Sequence, residues 1–288
     1  MGKRKLRGET GTAIVMLSPV ALWLIFFVAV PLLYVFIMSF CSLDQNYNVA
    51  FRFTVENYEH LLDLNYIQIY GQSILIAFLT TLICIVLAYP FSFLIARTFR
   101  SKKTILYMMV IIPFWTNSLI RINGWRTFLG ANGLLNKLLM ALHLTAQPIQ
   151  FLFTQGATVL GMVYVLFPFM VLPLYTAIEK LDESQLEASS DLGARGPSTF
   201  FHIILPQTAS GVFSGCIMVF IPCLGYFYVS DIMGGGNTDV IGNLSERQFQ
   251  SGNNWPLGAA LSIILIAITL LLVKLYQKCG GDMQSLGV

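Results

Sequence analysis

Residues 186–206 read LEASSDLGARGPSTFFHIILP, a polar and charged island between two long apolar runs. Ser184 lies three residues before Glu187, a capping-box spacing that predicts a helix starting near Gln185. Gly193 suits the left-handed position that ends such a helix. Gly196-Pro197-Ser198 then restarts the chain as a second short helix with proline in its first turn, and Leu205-Pro206 leads into the next apolar run. The expectation is a helix–turn–helix at a membrane surface. Two readings of Glu187 stay open: it caps its own helix, or it presents a charge to a partner.

The surrounding composition explains why a membrane is expected. The 288 residues are 56% hydrophobic and only 11% charged, against roughly 25% charged in soluble domains. Mean hydropathy is +0.71. Several apolar runs reach the ~20 residues a helix needs to cross a bilayer. The fold class expected is all-α: one polytopic domain over 1–288 with six transmembrane helices, at about 13–40, 69–96, 104–120, 157–178, 207–229 and 257–276, and a loop at 182–206. The first run is longer than the apolar core of a signal peptide and lacks a small-residue cleavage site, so it reads as a retained span. In the mixed segment 121–156, Asn132-Gly133 can start a short amphipathic helix, LLNKLLMALH. Trp255-Pro256 suits an interfacial anchor and a first-turn proline.

Six spans put both termini and the 186–206 loop on one side. That side holds twelve of the 17 basic residues: Lys3, Arg4, Lys5, Arg7, Arg97, Arg100, Lys102, Lys103, Lys180, Arg195, Lys274 and Lys278. The other side holds Arg52, Arg121, Arg126, Lys137 and Arg247. The positive-inside rule therefore makes the termini and the loop cytoplasmic. The net charge of +3 forms no basic patch that would suggest nucleic acid.

All 14 carboxylates fall in loops or at span edges, which argues against a transporter with its own intramembrane ion relay. The five cysteines are scattered, without a CxxC pair or metal-like spacing, and read as small apolar fillers. Pro90, Pro168, Pro173 and Pro222 lie inside expected spans and kink them, so the fourth and fifth spans are candidates to line a path. Gly211 and Gly215 form a GxxxG step that permits close helix approach to an unspecified neighbour.

Glu187-Ala188-Ser189, three residues, Gly193, nine residues, then Ile203-Ile204-Leu205-Pro206 resembles the EAA loop of the membrane subunits of type I ABC importers. Ser189 stands where that pattern has alanine. The resemblance extends over nearly the whole chain: PFWTNSLIRINGW (113–125), LFPFMVLPLYTAIEKLD (166–182), FYVSDIMGG (227–235) and NWPLGAALSI (254–263) are similar to the first of the two membrane subunits in bacterial spermidine/putrescine importers.

The resemblance implies a permease subunit in the bacterial cytoplasmic membrane. Its implied partners are a second permease, two copies of an ATP-binding subunit and an extracytoplasmic polyamine-binding protein. It implies ATPase-coupling roles for Glu187, Ala188, Ser189, Gly193, Ile203, Leu205 and Pro206. No covalent chemistry and no cofactor are expected in this chain, which has no GxxxxGK[ST] motif; ATP and Mg belong to the partner. A polyamine cation needs carboxylates or aromatic faces along its path. The candidates are Asp231, followed by Trp115, Tyr226 and Tyr228, with helix-end bonding and interfacial anchoring as their plainer readings.

Alternatives remain: an importer for putrescine alone, iron or another small solute, a channel, and a membrane-embedded enzyme. The last needs convergent side chains at membrane depth, whereas His60, His143 and His202 fall in separate loops or edges.

Overall fold

A computed structural model describes residues 16–44, 48–98 and 100–278. The basic N-terminal cluster, Cys279 and the extreme C-terminus lie outside the described residues. The helices, in chain order, are α1 (Met16–Met38), α2 (Glu56–His60), α3 (Leu64–Arg97), α4 (Arg100–Trp115), α5 (Ser118–Leu129), α6 (Leu134–Ala141), α7 (Gln155–Glu179), α8 (Glu183–Asp191), α9 (Gly196–Gln207), α10 (Ala209–Gly225), α11 (Phe227–Gly234), α12 (Ile241–Gln250) and α13 (Trp255–Lys278). Strands β1 (Ser42–Leu43) and β2 (Val49–Ala50) pair antiparallel, Ser42 opposite Ala50. Among the described residues, four helices are long and apolar enough to cross a membrane, or up to six if each of two bent pairs counts as one span.

The chain clusters into two compact units. The smaller comprises the chain up to Asp63 with Arg247–Ile264. In it α1 is exposed along nearly its whole apolar length, a surface suited to hydrocarbon. The α1 end is held by Asn57, whose Nδ2 donates to Ser39 O (3.0 Å) and Cys41 O (2.8 Å).

The larger unit comprises Leu64–Glu246 and the chain from Leu265 on. Its core is a three-helix packing of α3, α7 and α10. Here the GxxxG step finds its neighbour. A Cβ on Gly211 would lie 2.5 Å from Ala177 Cβ and 2.8 Å from Pro173 O. One on Gly215 would lie 2.5 Å from Met170 Sδ. The two glycines thus let α10 press its backbone against α7, on the face that carries Met170, Pro173 and Ala177.

Two expected spans change shape. The third stops at Trp115, not near 120, and the chain turns by 92°. Thr116 Oγ1 bonds back to Pro113 O (2.6 Å), and Asn117 caps a new helix by accepting the Leu119 N–H (2.8 Å). The first part of the expected mixed loop is therefore α5. The amphipathic helix after Asn132-Gly133 forms as α6.

The fifth span also breaks. It starts at Ala209, after a 68° bend at Thr208, and ends at Gly225. Pro222 withholds one backbone donor, Tyr226 leaves helical geometry (φ −78°, ψ 64°), and α11 begins as a separate helix. Gly242 packs where a Cβ would meet Gly225 O at 2.7 Å, which fixes the break from the other side. The second and fourth spans extend a few residues beyond expectation, and α13 starts at Trp255-Pro256.

Candidate functional site

Helices α8 and α9 form the expected helix–turn–helix. The capping differs from expectation: α8 starts at Glu183, and its cap is Asp182, whose carboxylate accepts the Ser184 N–H (3.0 Å). An acidic side chain directly before the first turn satisfies the free amides better than Ser184 one residue inside. Glu187 consequently sits beyond the first turn and caps nothing. Among the described residues no hydrogen bond or ion pair joins its exposed carboxylate.

Gly193 does what the sequence predicts. Its φ is +78°, and two bonds close the end of α8: Gly193 N–H to Ser190 O (2.9 Å) and Ala194 N–H to Ser189 O (3.1 Å). That is the Schellman pattern, with glycine at the left-handed position. Gly196-Pro197 then opens α9, whose middle section, Phe200–Ile204, widens into a π-helix.

The residue that departs from the EAA pattern holds the two helices together. Ser189 is buried (4% exposed) and its Oγ lies 2.8 Å from Thr199 Oγ1. A second tie joins Gln207 Nε2 to Gln185 Oε1 (2.5 Å). Ala188, Gly193 and Pro206 are exposed, Ile203 and Leu205 half-buried. Two residues that the sequence reading missed share this surface: Leu192 (88% exposed) and Phe201 (63%). Both are large apolar side chains turned to solvent, visible in the sequence only as apolar interruptions of the island.

The loop is anchored to the bundle at several points. Arg97 Nη1 donates to Glu183 Oε1 (2.8 Å); just before the loop, Lys103 Nζ of α4 donates to Glu179 Oε1 at the end of α7 (2.5 Å). Lys103 also lies over the Tyr175 ring, 5.4 Å from its centre. At the bend, buried Thr208 shares a 2.7 Å hydrogen bond with Tyr89 of α3, whose ring stands edge-on to Phe200. An apolar groove of about 930 Å³, lined by Tyr89, Phe93, Leu186, Phe200 and Leu205 among others, separates α3 from the loop.

The other candidates gather near the α10–α11 break. Tyr226 and Tyr228 have ring centres 5.5 Å apart, and Tyr228 Oη donates to Ser118 Oγ of α5 (3.1 Å). Burial pushes the Tyr226 phenol up from its ordinary range, helped by Tyr228 and opposed by Arg121. Asp231 lies one turn further along α11 and is exposed; it accepts from Asn243 Nδ2 at 2.6 Å. Asn243 itself is fully buried, bonded also to Phe227 O (3.1 Å) and accepting the Val240 N–H (2.9 Å). Asn243 and the helix carrying it, α12, were not anticipated. Trp115 is 81% exposed at the end of α4 and is joined to the tyrosines only through the backbone leading to Ser118.

Apolar helices long enough to cross a bilayer, some of them broken, with a polar helix–turn–helix between them, make this a multi-pass membrane protein. The chain belongs to the family of binding-protein-dependent transport system inner membrane components, which matches residues 88–278. It is 43% identical over 258 residues to the spermidine/putrescine transport system permease protein PotB of Haemophilus influenzae, covering 90% of both chains. It is equally identical to PotB of Escherichia coli, covering 90% of this chain and 94% of that one. The inner membrane ABC transporter permease protein YdcU of Escherichia coli is 31% identical over 248 residues, 80% of this chain and 78% of its own. Among solved structures, a chain of the bacterial alginate ABC transporter, crystallised with alginate pentasaccharide-bound periplasmic protein, has a TM-score of 0.76 over 96% of both chains at 16% identity. That likeness is one of fold.

Proposed function

We propose that this chain is a membrane subunit of an ATP-driven polyamine importer, forming half of the translocation path. The observation that carries the substrate class is the 43% identity to spermidine/putrescine permease proteins over nine tenths of both chains. A second permease completes the path, two ATP-binding subunits supply the energy and hold ATP and Mg, and an extracytoplasmic binding protein delivers the polyamine. Loop α8–α9 faces the cytoplasm with both termini, an orientation supported by the excess of basic residues on that side.

Glu187, Ala188, Leu192, Gly193 and Phe201 form the surface that enters the ATP-binding subunit, while Ile203, Leu205 and Pro206 carry its movement to Thr208 and α10. Ser189 holds α8 to α9, so that the two move as one piece. The access switch is a two-state equilibrium that nucleotide and loaded binding protein bias from opposite sides. In the path, Asp231 offsets the charge of the cation, and Tyr226 and Tyr228 offer aromatic faces to its methylene and ammonium groups. Reconstituting the subunits with labelled spermidine tests this reading. Uptake that needs this chain supports it; equal uptake without the chain, or uptake of other solutes alone, contradicts it.

A further inference from the structure

Arg121 sits one turn into α5, away from the loop, with its Nε sealed from solvent and without a hydrogen-bond partner. Its guanidinium lies 5.6 Å from the centre of the Tyr164 ring. Beside it opens a cavity of about 410 Å³ between α3, α4, α5 and α7, walled by Phe91, Trp125, Val163 and Phe167 among others. Leu87, Met109 and Leu160, which also line it, are exposed in the single chain, so the cavity is open to the surface there.

The depth fits an amphiphile. From Thr104, past the basic turn, to Trp115, α4 rises about 18 Å, more than half of a ~30 Å hydrocarbon core. Exposed Trp115 then marks the interface, and the 92° turn lays α5 along it. Arg121 is thereby in the outer half of the bilayer, with apolar space beneath. A free inorganic anion gains nothing from the apolar walls. No carboxylate lines the cavity.

We propose that the cavity holds an acyl chain of an anionic phospholipid, whose phosphate pairs with Arg121 through charge-assisted hydrogen bonds. Because acyl chains are as comfortable in bulk lipid as in the cavity, selectivity comes from the guanidinium.

The test uses the assembled transporter, purified in mild detergent, offered phosphatidylglycerol and examined by native mass spectrometry. The wild type should retain phosphatidylglycerol through washing, and Arg121→Gln should lower its occupancy by about tenfold or more. Arg121→Lys should retain part of it, because a point cation still pairs with phosphate. Leu160→Trp, which fills the rim and leaves Arg121 in place, should lower retention independently of whether Arg121→Gln assembles. Equal retention in wild type, Arg121→Gln and Leu160→Trp overturns the proposal. So does a wild type that retains none while Arg121→Gln sheds the second permease, since the counter-charge is then a carboxylate of that subunit.

Discussion

Arg97 and Glu183 meet at 2.8 Å across 86 residues of chain, joining the last turn of α3 to the first turn of α8. Glu183 is largely exposed, so the pair adds about 1 kcal/mol or less to stability. Its consequence lies in registering the loop on α3. Glu183→Gln should leave the assembled complex intact and lower uptake by up to about fivefold. The exchange of Arg97→Glu with Glu183→Arg should recover part of the loss, read by transport in proteoliposomes.

The contact of Gly211 with Ala177 and Pro173 leaves no room for a side chain. Gly211→Leu should destabilise the purified complex by about 1–3 kcal/mol, the usual range for overpacking, seen as a lowered Tm. Gly71, with nothing within 4 Å of an added Cβ in α3, provides the control, and Gly71→Ala should be neutral or slightly stabilising.

Ser189→Ala restores the more usual EAA residue but removes the bond to Thr199. A double-mutant cycle with Thr199→Val should give a coupling of about 1 kcal/mol between the two. Additivity within a few tenths would show that the pair does not brace the loop.

Asp231→Asn should raise the KM for spermidine by about 10–100-fold, as expected for the loss of an ionic hydrogen-bonded contact. Unaltered kinetics removes Asp231 from the path. Asn243→Ala separates positioning from contact. It frees the Asp231 carboxylate from its 2.6 Å donor and should shift KM less than Asp231→Asn does.

The long helices were legible in the sequence because uninterrupted apolar runs leave the backbone only one way to satisfy itself in lipid. The left-handed turn at Gly193 was legible too, since local chemistry decides it. The capping residue was missed because Ser184 and Asp182 both suit an N-cap, and only the path of the chain out of α7 chooses between them. The breaks at 116–117 and Tyr226 were also missed. At 116–117 the cue is local, polar Thr116-Asn117-Ser118 with Asn117 capping α5, but it is short beside the apolar runs around it; at Tyr226 apolar residues continue, and what ends the helix is tertiary, Gly242 packed on Gly225. Asn243 shares that character, because a buried asparagine bridging α11 and α12 gives no periodic signal.

The proposed coupling role of α8–α9 is tested most directly at Gly193. An added Cβ there meets nothing within 4 Å, so a substitution acts through the strained φ of +78° and not through a clash with the bundle. A non-glycine residue in that conformation costs about 1–2 kcal/mol, confined to the turn. The decisive measurement is spermidine-stimulated ATP hydrolysis and uptake by the reconstituted transporter carrying Gly193→Asp, with assembly checked by co-purification of the ATP-binding subunit. The account expects both activities to fall together, with the membrane helices still folded. Wild-type assembly, hydrolysis and uptake in Gly193→Asp would contradict it.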